Sequence, residues 1–235
     1  MPLEKPCSPT SHHSRIKIKG SLSERHTIRS RNLVGRYPNW GAILEKEDIF
    51  RALTAILGQD VQLIGSEAFI RSQSTEAIER WHVDGGYQMS RVVLAPESLE
   101  LQTKLQVFFS RANGPLTGRF VAAKGSHRWN RAVMGKDGYL RDGQEVDPST
   151  VRPIDVEPGD AVLFSSFLWH SVEQNLGSER LSMIYRLGPM WCRPMDYETM
   201  PEHVLSQVTP RMARMCGHLG DDCNPIDYYV PRATR

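Results

Sequence analysis

The sequence has little of what marks a membrane protein or a nucleic-acid-binding protein. No stretch approaches the roughly 18 consecutive apolar residues that cross a membrane, and the first residues lack the apolar core of a secretory signal peptide. Lysine and arginine total 29 against 27 aspartates and glutamates, a formal net charge of only +2. We therefore expect a cytoplasmic protein with no membrane and no nucleic-acid partner.

Cysteine is also scarce. The chain contains four cysteines, and they form no CxxC pair and have no spacing typical of a zinc site. They are Cys7, Cys192, Cys216 and Cys223. The sequence thus predicts reduced thiols rather than disulfides, so that a metal site would take its ligands from other side chains.

The length and composition are those of one ordinary globular domain. The chain has 235 residues, of which 40% are hydrophobic and 24% charged. Residues 1–35 mix Pro, Ser, His and Arg with few apolar positions, which is typical of a flexible arm or lid. The segment 129–153 is long, charged and glycine-containing, which favours a second covering loop.

Local patterns predict helices flanking a mainly β fold. Apolar residues recur at helical spacing from Glu47 to Leu57, and Gly58 is placed to end that helix. Residues 61–186 then read as short β-like segments separated by turn residues, which favours a sandwich or barrel. The nearly continuous apolar run 161–169 predicts a strand covered on both faces.

One predicted strand has two different faces. Between residues 99 and 109 the odd positions are mostly apolar, while Lys104 and Gln106 lie among polar residues at even positions. One face is therefore predicted to be buried. The other, with Gln106, meets either water or a polar lumen.

Three metal-ligating side chains stand at two places in this region. His82 and Asp84 are two residues apart, and alternate side chains of a strand share a face. His170 directly follows the apolar run. Two histidines and one carboxylate are the facial ligand set of non-haem iron(II) oxygenases, which leaves open positions on the metal. Taken alone, the His82-Asp84 pair also fits an ordinary surface hydrogen bond.

A second motif follows His170. Arg180 and Ser182 share one face of a predicted strand. A guanidinium buried without an anion is costly, whereas its planar fork matches a carboxylate and the serine hydroxyl adds another donor. The pair therefore predicts a carboxylate-binding site.

These motifs together resemble the phytanoyl-CoA dioxygenase-like branch of the Fe(II)/2-oxoglutarate oxygenases. The resemblance spans about residues 65–187 and also rests on Gly125-Ser126-His127-Arg128 and Pro158-Gly159-Asp160. It implies a double-stranded β-helix, a cupin-like jelly roll, that uses Fe(II), 2-oxoglutarate and O₂. By that resemblance, iron is held by His82, Asp84 and His170. Arg180 and Ser182 would bind the distal carboxylate of 2-oxoglutarate, and Gln106 is either a further cofactor contact or a solvent-facing residue.

The predicted function is oxidation of a small molecule, such as a specialised metabolite. Hydroxylation is favoured over halogenation because halogenating relatives lack the carboxylate that Asp84 supplies, while desaturation and ring closure stay open. Acidic residues in 129–153 favour an amino-sugar or amino acid derivative, although such charges are more often simply solvated. The alternatives are a cupin-type metal enzyme without 2-oxoglutarate, a non-catalytic metal-binding module and a protein-directed hydroxylase.

Overall fold

The computed structural model describes residues 27–84, 100–129, 134–135 and 137–218. The strands of this part are β1 (Thr27–Arg31), β2 (Val61–Arg71), β3 (Glu79–His82), β4 (Thr103–Phe108), β5 (Phe120–Ala123), β6 (Val151–Ile154), β7 (Ala161–Ser165), β8 (His170–Val172) and β9 (Arg180–Pro189). The α-helices are α1 (Leu33–Arg36), α2 (Glu47–Leu57), α3 (Glu202–Leu205) and α4 (Pro210–Met215), with 3-10 helices at Pro38–Glu45, Ser126–Arg128 and Pro148–Thr150. None of the described helices has the length and apolar character needed to cross a membrane.

Two antiparallel sheets form the body of the protein. One has the strand order β1-β2-β9-β4-β7 and the other the order β3-β8-β5-β6. The chain crosses repeatedly between the sheets from β2 onward, and the last strand, β9, returns to pair with β2. This is the arrangement of a double-stranded β-helix. The predicted fold, mainly β with flanking helices, is confirmed.

Helix α2 covers the outer face of the five-stranded sheet. It spans Glu47–Leu57, as the helical spacing predicts, and Gly58 follows it at φ 85° with its N–H bonded to the Thr54 carbonyl. Phe50, Leu53 and Leu57 are buried against apolar residues of β2, β4 and β9. This contact places the main apolar core outside the barrel and leaves the inner face of the sheet for polar residues.

Strand β4 shows how the alternation works. Leu105 and Val107 belong to the apolar core beneath α2, whereas Lys104 and Gln106 point to the opposite face with 3% and 4% exposure. The polar face therefore lines a lumen between the sheets and does not meet water. By contrast, the predicted strand over 161–169 is shorter than expected. Strand β7 ends at Ser165, whose hydroxyl accepts the Phe167 N–H and starts a turn.

The predicted arm over residues 1–35 divides into two parts. Residues 1–26 lie outside the described residues, while Thr27–Arg31 form β1 along the edge of β2. Helix α1 follows, with the Asn32 side chain accepting the Gly35 N–H and with Leu33 and Val34 buried. Arg29 and Arg31 of β1 form ion pairs with Glu67 of β2, which help to hold β1 at the sheet edge. The apolar pattern of the sequence does not predict these contacts.

The second predicted covering loop, over residues 129–153, is described only in part. Residues 130–133 and 136 fall outside the description. Met134 and Val146 pack against Val83 and Trp169 behind the predicted metal ligands. Part of the segment is thus a wall of the barrel, and its role as a lid stays a prediction.

Candidate metal centre

The structure brings the three predicted metal ligands together between the sheets. His82 ends β3 and His170 begins β8, and the two are directly opposite in the antiparallel pair. One ligand atom from each of His82, Asp84 and His170 lies within 4.8 Å of the others. Nε2 of His170 is 3.3 Å from Oδ2 of Asp84, and Nε2 of His82 is 3.8 Å from Oδ1. This spacing suits a single small cation between them.

Backbone carbonyls orient both imidazole rings. Nδ1 of His82 lies 2.8 Å from the Arg80 carbonyl oxygen, and Nδ1 of His170 lies 2.9 Å from that of Leu168. Because a carbonyl can only accept, each Nδ1 carries the hydrogen and each Nε2 keeps its lone pair. The lone pairs face Asp84, which is the tautomer and orientation that a metal ligand needs.

His170 is held in a dry, aromatic environment. Its ring centroid lies 5.2 Å from that of Phe120 and 5.1 Å from that of Phe164. Burial, followed by the neighbouring His82, lowers the pKa of His170 to about 3. The ring is therefore neutral at physiological pH and free to donate its electron pair to a cation.

Asp84 presents one carboxylate oxygen and has the other occupied. Nζ of Lys104 lies 2.5 Å from Oδ1, whereas Oδ2 is buried and no described residue donates a hydrogen bond to it. Burial raises the pKa of Asp84, but Lys104, then His170 and His82, lower it more, so that the net pKa lies below its ordinary value. The ionised carboxylate thus has one uncommitted oxygen, close to His170, for a metal.

A buried serine supports the position of His170. The hydroxyl of Ser126 accepts the backbone N–H of Trp169 at 2.9 Å, and both residues are almost fully buried. Sequence reasoning noted the motif around Ser126 without giving this residue a role. His127 lies in the adjoining 3-10 helix and is not part of the ligand cluster.

Arg180 lies in the same lumen as a buried, unsatisfied cation. Its side chain is 1% exposed, and its Nε and Nη2 atoms have no hydrogen-bond partner in the part of the chain that the structure describes. Its Cζ lies 5.1 Å from the centre of the Phe108 ring, and no ion pair to it occurs among the described residues. Burial, then repulsion from Arg71, lowers the pKa of Arg180 to about 9. A buried guanidinium of this kind is suited to an anionic ligand.

Ser182 and Gln106 complete this polar surface. Ser182 follows Arg180 on the same face of β9, and Nε2 of Gln106 donates to its hydroxyl at 3.1 Å. Gln106 is buried, so the solvent-facing interpretation is wrong. Its contact with a cofactor stays a prediction.

The family of the chain follows from its sequence. The family model described as Phytanoyl-CoA dioxygenase (PhyH) matches residues 20–181. The chain belongs to this phytanoyl-CoA dioxygenase family. No curated protein sequence matches it significantly.

Solved structures share the fold of this phytanoyl-CoA dioxygenase family member. HygX from Streptomyces hygroscopicus with nickel and 2-oxoglutarate bound has a TM-score of 0.56 and 21% identity, over 74% of this chain and 75% of that chain. HygX with nickel, 2-oxoglutarate and hygromycin B bound has a TM-score of 0.56 and 18% identity, over 70% of each chain. HygX with iron bound has a TM-score of 0.55 and 18% identity, over 70% of this chain and 72% of that chain. At these identities the likeness establishes the shared fold.

Sequence reasoning missed two residues that the fold of this family member brings into the lumen. Lys104 precedes Gln106 by two positions on the polar face of β4, so the alternation pointed toward it. Arg71 ends β2, where it is the direct partner of Arg180 on β9. Its only sequence signal is its alternation with Phe69 and Glu67, and the pairing with β9 cannot be read from local pattern.

Proposed function

We propose that the protein is an Fe(II)- and 2-oxoglutarate-dependent dioxygenase that oxidises a small molecule. The main support for this proposal is the position of Arg180. This buried guanidinium has no anionic partner among the described residues, and it lies in the same lumen as the His82, Asp84 and His170 cluster. A metal site and a separate carboxylate site together suit a dicarboxylate whose keto-acid end chelates the metal. The 2-oxoglutarate and the iron or nickel bound in HygX structures support this assignment.

Each residue then has a distinct task. His82, Asp84 and His170 would hold Fe(II), because two histidines and one carboxylate are the ligand set of non-haem iron(II) oxygenases. Arg180 binds the distal carboxylate of 2-oxoglutarate. Because Gln106 already donates to Ser182, the serine hydroxyl directs its own hydrogen to that carboxylate. With its co-substrates bound, iron supplies the oxidising chemistry, with succinate and CO₂ as co-products.

The buried arginine also separates this function from the alternatives. A cupin-type metal enzyme that does not use 2-oxoglutarate has no need of a carboxylate site in the lumen. A non-catalytic module has no need of open metal positions next to it. Burying an arginine without a ligand costs free energy in either case, so Arg180 favours the 2-oxoglutarate enzyme.

The proposed substrate is an amino-sugar or amino acid derivative used in the biosynthesis of a specialised metabolite in the cytoplasm. The segment 137–147 carries exposed acidic residues, and its Tyr139 ring lies 5.5 Å from the His82 ring. Exposed acidic groups on this segment would attract a cationic substrate. The hygromycin B bound to HygX supports a small-molecule substrate for this fold.

The proposal is tested by measuring succinate released from 2-oxoglutarate by the Fe(II)-loaded protein. Amino-sugars, amino acid derivatives, terpenoids and acyl thioesters are supplied as separate groups. We expect one group to stimulate succinate release and to yield a product that has gained an oxygen atom or lost two hydrogens. His170→Ala should abolish both. Substrate oxidation that proceeds without 2-oxoglutarate, and is unchanged by Arg180→Met, would establish the cupin-type alternative instead.

A further inference from the structure

Arg71 and Arg180 face each other inside the barrel. They are Cα partners in the antiparallel pair of β2 and β9, and two positions along the same face Phe69 pairs with Ser182. Side chains directly opposite on one face of such a pair have Cβ atoms about 5 Å apart. The two guanidinium groups therefore share one region of the lumen, beside the hydroxyl of Ser182.

Both arginines have hydrogen-bond donors that no described residue accepts. Among the described residues, Nε of Arg71 is buried without a partner, as are Nε and Nη2 of Arg180. Among the described residues, the nearest carboxylate oxygen to Arg71 is Oε2 of Glu79, 3.9 Å from Nη2, which is too long for a hydrogen bond. The other oxygen of Glu79, Oε1, accepts a hydrogen bond from the Tyr139 hydroxyl at 2.6 Å.

Both guanidinium groups stack on aromatic rings, and this stacking does not use their N–H donors. Cζ of Arg71 lies 5.0 Å from the centre of the Phe69 ring, and Cζ of Arg180 lies 5.1 Å from that of Phe108. Stacking of this kind stabilises a guanidinium through its face and leaves the N–H groups at its edge for another ligand. Burial lowers the pKa of Arg71, and repulsion from Arg71 adds to the lowering of the pKa of Arg180. An anion between them would relieve this repulsion.

We propose that Arg71 is a second binding residue for the distal carboxylate of 2-oxoglutarate, which would lie between Arg71 and Arg180. The inference rests on the proposed function, since it assumes that 2-oxoglutarate occupies the lumen. It goes further by giving the co-substrate a two-arginine site. One carboxylate has two oxygens and about four acceptor positions, enough for donors from both arginines and from Ser182.

Calorimetric titration of the Ni(II)-loaded protein with 2-oxoglutarate measures this contribution. Charge-assisted hydrogen bonds contribute about 1.5–3 kcal/mol. Arg71→Met should therefore raise the Kd for 2-oxoglutarate by about tenfold to a hundredfold. Arg71→Lys, which keeps the charge and loses the fork, should give an intermediate Kd. Arg29→Met is the matched control, because Arg29 also stacks on Phe69 and also has a buried Nε without a partner among the described residues, but its Nη2 is paired with Glu67. Its Kd should stay within about twofold of the wild type.

A second ligand separates a direct contact from a structural one. 2-Oxovalerate has the same keto-acid end and no distal carboxylate, so Arg71→Met should leave its Kd unchanged. Equal losses for both ligands would overturn the inference, as would an unchanged Kd for 2-oxoglutarate. If Arg71→Met does not fold, Arg71→Gln takes its place with the same expected results. Failure of the wild-type protein to bind 2-oxoglutarate would instead reject the proposed function itself.

Discussion

Nζ of Lys104 lies 2.5 Å from Oδ1 of Asp84, and this contact determines which carboxylate oxygen is left for a metal. The other oxygen, Oδ2, is buried without a donor among the described residues and lies 3.3 Å from Nε2 of His170. Lys104 would thus orient the Asp84 carboxylate and leave Oδ2 as the oxygen that would hold a metal.

Replacement of Lys104 should weaken metal binding. In Lys104→Met the Asp84 carboxylate loses the contact that orients it, and loss of such partners of metal ligands costs about tenfold to a hundredfold in affinity. Mn(II) titration followed by electron paramagnetic resonance measures the Kd. Lys104→Gln keeps a donor without the charge and should recover part of the loss. Lys46→Met, at an exposed position, is the control. Metal binding by Lys104→Met as tight as that of the wild type would contradict the positioning role.

Loss of the Ser126 hydroxyl should destabilise the metal-free protein. Ser126→Ala leaves the buried N–H of Trp169 without its acceptor, which costs about 1–3 kcal/mol. Urea denaturation in the presence of a chelator measures the free energy of unfolding. Ser206→Ala removes a hydroxyl that bonds the His203 carbonyl at an exposed site, and it should change stability by less than about 0.5 kcal/mol. Equal losses in the free energy of unfolding for the two substitutions would show that the hydrogen bond from Trp169 to Ser126 contributes no more than an exposed one.

Helix α2 should contribute stability through its buried face alone. Leu53 is fully buried against the sheet, and Leu53→Ala should lower the free energy of unfolding by about 2–5 kcal/mol. Ile56 on the same helix is 36% exposed, so Ile56→Ala should cost much less, roughly 1 kcal/mol or under. Thermal or urea denaturation compares the pair. A larger loss for Ile56→Ala would mean that the helix packs through a different face.

The thiol of Cys216 should resist alkylation until the protein unfolds. Among the described residues, Cys192 and Cys216 form no disulfide, and Cys7 and Cys223 lie outside that part of the chain. Burial, followed by Glu45, raises the pKa of Cys216 to about 12, so the reactive thiolate is scarce below that pH. At pH 8, iodoacetamide labelling of Cys216 should be more than about a hundredfold slower in the folded protein than in urea, since an ordinary cysteine has a pKa near 8.5. Peptide mass spectrometry checks this, and equal rates would exclude a buried Cys216.

Features that depend on short-range spacing could be predicted from the sequence. The bounds of α2 follow from helical periodicity. The face of β4 on which Gln106 lies follows from strand alternation. The approach of His82 and Asp84 follows from the two-residue repeat of a strand. The addition of His170 follows from its position after the apolar run and from the family resemblance, and one ligand atom of each of the three residues lies within 4.8 Å of the others.

What could not be predicted depends on pairings between distant segments. Arg71 reaches Arg180 because β2 and β9 are paired in one particular register, and Ser126 reaches Trp169 although 43 positions separate them in the sequence. Strand β1 is held at the sheet edge partly by the ion pair of Arg29 with Glu67 and lacks a strong apolar pattern. Local periodicity carries no information on such register.

The central claim is tested most directly by the visible spectrum of the protein under anaerobic conditions. On addition of Fe(II) and 2-oxoglutarate, chelation of the metal by the keto acid should produce a weak charge-transfer band. Asp84→Ala should lose the band, and Arg180→Met should require a much higher 2-oxoglutarate concentration to reach it. Absence of any band in the wild-type protein at saturating Fe(II) and 2-oxoglutarate would contradict the assignment of this site to a 2-oxoglutarate-dependent dioxygenase.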